Sequence, residues 1–170
     1  MRVVAIPGSL RAASSNKLAL EAMKALAPPD VHIEIYEGVG SLPHFNADLD
    51  VEGANPPATV ADLRERLRAA DGLLISSPEY AHGVPGSLKN ALDWLVSDGL
   101  LVGKRVVLLN ATPPSTYAQS SLIETLTVMN WKVVATIEVP LRGKKLDVAG
   151  VLADRELSEA LRSGIVALQT

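Results

Sequence analysis

Hydrophobic positions along this chain alternate between two rhythms, short β-branched runs and longer stretches with helical spacing. Residues 2–6 form an apolar run closed by Pro7-Gly8 and read as a buried strand. Residues 16–27 set Leu18, Ala22, Met23 and Leu26 on one helical face and stop at Pro28-Pro29, which cannot continue a helix. Residues 31–36 alternate Val31, Ile33 and Ile35 with polar positions, the pattern of a more exposed strand. A long irregular segment, about residues 37–58, follows. Residues 59–70 then align Val60, Leu63, Leu67 and Ala70, with an Asp62–Arg66 pair opposite and Arg64, Glu65 and Arg68 reading as solvated charges. Strands at 72–77, 104–111 and 131–139 alternate with helices at 87–96, 118–129 and about 153–168. These helices turn Leu88, Ala91, Leu92 and Leu95, and later Leu157, Leu161, Ile165 and Leu168, inward. Five strands separated by helices require right-handed crossovers, hence a parallel sheet covered on both faces. The expected architecture is a three-layer α/β sandwich with strand order 2-1-3-4-5.

Composition narrows the classes of function. The 170 residues suit one domain over 1–170, without internal repeat or linker. The absence of Cys excludes disulfides, thiolate catalysis and cysteine-held metals, and no metal site is expected. A net charge of −3 argues against a nucleic-acid partner. With two Trp, three Tyr and one Phe, the core must be aliphatic. The apolar stretch after Met1-Arg2 is too short for a signal-peptide core, and no run is long enough to span a membrane. A cytoplasmic enzyme or binding protein is the expectation.

Ligands in such folds lie beyond the carboxyl ends of the strands, near the switch between the first and third. The loop after strand one, residues 7–16, enters a helix N-terminus, whose unpaired N–H groups and positive dipole end suit a phosphate. Ser9, Ser14, Ser15 and Asn16 add short hydrogen-bonding side chains, and Arg11 adds a charged fork. With Gly8 alone and no Lys, the loop is neither a P-loop nor G-x-G-x-x-G. It suits one phosphate cradled by hydroxyls rather than a pyrophosphate over glycines; a helix N-cap beside a surface Arg fits the same residues equally well. The loop after strand three, residues 76–86, holds two Pro, two Gly and the Tyr80/His82 pair. Its prolines stiffen it, Gly83 allows close backbone approach, Tyr80 offers a ring face, and Glu79 or His82 offers a polar group. For His82 alone a solvated side chain is the stronger reading; for the loop as a whole, its place in the fold favours function.

Two motifs, G-S-L-R-x-x-S-x-N at residues 8–16 and S-P-E-Y-x-x-x-x-P-G-x-L-K-N-A-L-D-W at residues 77–94, resemble the NADPH-dependent FMN reductase family. That family is flavodoxin-like and includes quinone, azo-dye and chromate reductases. Residues 42–49 also resemble its second loop, and the similarity runs from residue 2 to about 140. The resemblance implies that Ser9, Arg11, Ser14 and Asn16 hold the FMN phosphate and ribityl end, while Ser15, between the last two, is a candidate on its hydroxyl alone. It likewise implies that Pro78, Glu79, Tyr80, Ala81, His82 and Gly83 line the isoalloxazine ring. Lys89, Asn90, Asp93 and Trp94 match a mainly structural helix that lies at a subunit interface in similar proteins. Where many members carry a glycine-rich stretch after strand four, residues 110–119 here hold two Pro and no Gly, leaving Thr112 and Ser115 to hydrogen-bond a ligand.

The resemblance thus implies FMN as cofactor, NADPH or NADH as co-substrate, and a small-molecule acceptor such as a quinone, azo dye, free flavin or metal oxyanion. A homodimer or homotetramer goes with it. Hydride transfer to flavin N5 needs no dedicated acid or base, so no catalytic residue is assigned. The rival of the same fold is a one-electron carrier of the flavodoxin type. A receiver domain fails because Ser76-Ser77-Pro78 stands where its Asp belongs, and a phosphatase of this architecture fails for want of Cys.

Overall fold

The first strand lies inside the sheet, next to its edge strand, and not at the edge itself. In the computed structural model, which describes residues 1–51, 53 and 55–170, β1 (Arg2–Pro7) pairs with β2 (His32–Ile35) on one side and β3 (Gly72–Ser76) on the other. β4 (Arg105–Asn110) and β5 (Lys132–Glu138) complete a parallel sheet of order 2-1-3-4-5, as the alternation of strands and helices requires. Side chains alternate across the pleat. Val4, Ile6, Leu73, Ile75, Val106 and Leu108 pack on α2 (Ala58–Ala69), α3 (Gly86–Asp93) and α4 (Thr116–Val128). Val3, Ala5, Leu74, Val107 and Leu109 pack on α1 (Ser15–Leu26), α5 (Val148–Ala153) and α6 (Arg155–Gln169). β4 and β5 change register between Val106 and Val107, which pair with Val133 and Ala135.

Three elements depart from the sequence expectation. The expected final helix stands as α6, but a short helix that was not expected, α5, precedes it; Asp154, in an extended conformation (φ −78°, ψ 111°), ends α5 and caps α6 by accepting from Leu157 N–H at 3.2 Å. α3 stops at Asp93, although Leu95 beyond it is still buried. The irregular segment contains 3₁₀ turns at Glu37–Ser41 and Ala47–Leu49.

The reason α3 ends early also corrects the expectation for Arg64. Its side chain is only 10% exposed. Nε donates to the carbonyl of Trp94 at 3.0 Å, and Nη2 reaches Asp50 at 2.8 Å and Ser97 Oγ at 2.9 Å. The neighbouring loop folds over this guanidinium. Pro43 O accepts from Asn90 Nδ2 at 2.9 Å and from Trp94 Nε1 at 2.8 Å, Phe45 N–H donates to Asn90 Oδ1 at 2.7 Å, and the Phe45 ring meets Trp94 edge-on at 5.1 Å. Residues 43–50 are therefore stapled to the end of α3 by one buried cation, three hydrogen bonds and an aromatic pair. Arg68 is half exposed but is also engaged, bonding the buried Asp98 carboxylate at 2.9 Å.

Candidate functional site

Where β1, β3 and β4 end, their loops enclose a cleft of about 430 Å³, within the range of sites for small organic ligands. Gly8 starts the first wall. Its N–H donates to Ser76 O at 2.8 Å, and a Cβ there would stand 3.1 Å from that carbonyl and from Ser77 Cα, so a side chain would press on the backbone at the end of β3. Ser9 is buried; its Oγ receives Arg11 N–H at 3.4 Å and shares a 3.2 Å hydrogen bond with the Tyr80 hydroxyl. Ser14 caps α1 by accepting from Lys17 N–H at 3.3 Å, while the amides of Ser15 and Asn16, in the first turn, have no intrahelical acceptor. Asn16 is buried and fixed by Ser76 Oγ, which donates to its Oδ1 at 3.0 Å. The Arg11 guanidinium, exposed and without a side-chain hydrogen bond among the described residues, is available to an anion.

The opposite wall comes from the loop after β3. Pro78, Glu79 and Tyr80 line the cleft. Glu79 does so with its carboxylate committed, since Oε2 accepts from Ala118 N–H at 2.8 Å in the first turn of α4. That placement suits an anion at a helix N-terminus. Ala81, His82 and Gly83 lie outside the cleft lining. They form a tight turn in which Tyr80 and Gly83 exchange backbone hydrogen bonds of 3.1 and 2.9 Å, and His82 stacks on Tyr117 at 4.2 Å. The positive φ angles fall on Ala81 (48°) and His82 (60°), not on Gly83. A left-handed alanine costs about 1 kcal/mol, so Ala81→Gly should raise stability by roughly that amount in urea unfolding; an unchanged or lower midpoint would contradict the strained turn.

Thr112 closes the cleft from the loop after β4, together with Pro114 and Ser115. Thr112 N–H is held by Asn110 Oδ1 at 3.3 Å, and Ser115 Oγ donates to Thr112 O at 2.9 Å, so this glycine-free loop is fixed by its own polar side chains. Two further lining residues, Arg142 and Gly143, lie beyond β5. Sequence reasoning passed over them; the signal was the basic run Arg142-Gly143-Lys144-Lys145 just past the carboxyl end of a strand. A second, more apolar cleft of about 390 Å³ adjoins the first, with Arg11 and Tyr80 shared and Leu10, Pro85 and Gly86 at its base. Among the described residues no cluster of acidic or imidazole groups is arranged for a metal ion, and no helix is long and apolar enough to cross a membrane.

The arrangement offers hydroxyls, free helix-end amides and two guanidinium groups at one end, with aromatic and prolyl surface at the other. The donor set fits the phosphate and polyol of a mononucleotide, and the second cleft fits a flat ring. Comparison with known proteins agrees. The sequence model of the NADPH-dependent FMN reductase family matches residues 1–145. The NAD(P)H-dependent FMN reductase of Pseudomonas aeruginosa is 34% identical over 176 residues, covering 99% of this chain and 94% of the relative. A quinone reductase of Escherichia coli K12 is 39% identical over 110 residues, 64% of this chain, and that match spans 58% of the relative's length. Among solved structures, the flavoenzyme NAD(P)H:(acceptor) oxidoreductase FerB of Paracoccus denitrificans shares the fold. Its TM-score is 0.73 at 23% identity, over 99% of this chain and 97% of its own.

Proposed function

Because the chain belongs to the NADPH-dependent FMN reductase family, we propose that it is an FMN-dependent oxidoreductase drawing on NADPH or NADH and serving a small-molecule acceptor such as a quinone. The observation that carries this reading is the cleft between residues 9–16 and 78–80, anionic-ligand chemistry at one end and ring surface at the other. The redox chemistry is the cofactor's: hydride acceptance at flavin N5 and delivery of electrons onward.

What the chain contributes is positioning. Ser9, Ser14, Ser15, Asn16 and the first turn of α1 would hold the phosphate and ribityl end, with Arg11 and Arg142 supplying charge. Asn16 is held against β3 by Ser76, and the loop after β3 is braced on α4 through Glu79, so both walls are fixed before a ligand arrives. Tyr80, hydrogen-bonded to Ser9 and lining both clefts, divides the polar end from the apolar slot of Leu10 and Pro85, where a planar second substrate has room. A homodimer or homotetramer goes with this reading; the exposed Val96, Leu100 and Val102 beyond α3 offer an apolar edge to a second copy.

Anaerobic addition of NADPH to the FMN-loaded protein should bleach the flavin absorbance bands, and a quinone should restore them. Bands that persist under NADPH, or a lasting radical signal without nicotinamide oxidation, would support the one-electron carrier instead.

A further inference from the structure

Beyond the phosphate end of the cleft lies a second trough of about 460 Å³, and the two share Ser14 and Ser15. The walls run on as well: Arg11 is followed by Ala12 and Ala13, and Arg142-Gly143 by Lys144, with the later residue of each wall in the second trough. The start of α1 is thus a saddle between two ligand-sized spaces, not the closed end of one. The trough has an apolar floor of Leu18, Leu146 and Val148, and Lys17 and Lys144 supply cations. Lys17 is occupied, 2.7 Å from Glu37, whereas Lys144 is only loosely paired with Asp154 at 3.7 Å. Two carboxylates, Glu21 and Asp147, complete the lining. Asp147 holds the N-terminus of α5 through Gly150 N–H at 2.8 Å, and Glu21 makes no hydrogen bond or ion pair among the described residues.

This mixture is poorly suited to a free anion and well suited to a nucleoside. Acidic side chains accept from ribose hydroxyls, apolar side chains hold a base, and one cation meets a phosphate. We infer that the trough takes the adenosine-phosphate half of FAD, so that the chain binds this dinucleotide as well as FMN. The inference rests on the proposed flavin site. It keeps a single phosphate at residues 9–16 and sends the second over the saddle toward Lys144, without the glycines a pyrophosphate-wrapping loop requires.

The test is calorimetric titration of the flavin-free full chain with FMN and with FAD, in the wild type and in Lys144→Glu, an exposed change that leaves the core intact. FAD should bind within about tenfold of FMN. The substitution should weaken FAD by about fivefold or more through charge reversal, while FMN, farther from the screened surface charge, changes by less than about twofold. FAD weaker than FMN by more than that tenfold, or a substitution that leaves FAD untouched, overturns the inference and spares the flavin site. Should the FMN-loaded protein bind NADP⁺ in a way that Lys144→Glu weakens while FAD is unaffected, the trough belongs to the nicotinamide cofactor's adenosine end, and the inference is likewise overturned. Failure to bind either flavin overturns the flavin reading itself, and this inference with it.

Discussion

Arg64→Leu should lower the stability of the chain by about 3–5 kcal/mol, the cost of stranding a buried partner when one half of an ion pair is removed. The loss has two parts. The Trp94 carbonyl loses its side-chain donor, and Asp50, whose side chain is 9% exposed, keeps a charge with Ser97 as its remaining side-chain partner. Burial pushes the Asp50 carboxyl up, but the hydrogen bonds from Ser97 and Arg64 and the guanidinium charge together hold it below its usual value of 3.8. A depressed carboxylate adds stability that is present above the unfolded-state value and is lost as pH falls through the folded one. The gap between wild type and variant in urea unfolding should therefore be full at neutral pH and narrow below about pH 4. Replacing both residues, Arg64→Leu with Asp50→Leu, should recover part of the loss. A single variant within about 0.5 kcal/mol of wild type would show that the loop over α3 is held by its bonds to Asn90 and Trp94 and its aromatic pair without the ion pair.

Arg11→Ala should weaken FMN binding by about 10- to 100-fold, the worth of one charge-assisted hydrogen-bonding fork, while leaving riboflavin binding and stability unchanged. The side chain is exposed and makes no hydrogen bond among the described residues, so its removal takes nothing from the fold. Fluorescence titration with the two flavins separates a phosphate contact from general loosening of the loop. Equal losses for both ligands, or none for either, would remove Arg11 from the phosphate site.

Much of this fold was legible because its determinants are local. The β-branched runs of β1, β3 and β4 and the spacing of Leu157, Leu161, Ile165 and Leu168 mark buried strands and a helix face, and the alternation of strands and helices then limits the topology. Gly8, Ser9, Ser14 and Asn16 were likewise readable, as a strand end running into a helix cap. The features that escaped are set by distant chain. Arg64 sits beside Leu63 on a helix with a polar face, and only the arrival of residues 43–50 buries it. Glu79 lines the cleft, but nothing local shows that α4 brings Ala118 N–H to its carboxylate, and Ala81 carries no sign that it would adopt a left-handed conformation without being glycine. Arg142 stands in a surface loop whose nearness to Arg11 depends on how β5 crosses the sheet. α5 is the exception, a local helix of six residues capped by Asp147 that is too short to show a helical period.

The claim on which the rest depends is that an anionic tail is tied to the N-terminal turn of α1. The most direct measurement is the ratio of riboflavin to FMN dissociation constants for the unaltered protein, two ligands that differ only by the phosphate. With Arg11, Arg142 and the free amides of Ser15 and Asn16 at that end of the cleft, FMN should bind tighter by about 100-fold or more. Equal affinities for the two would contradict the account.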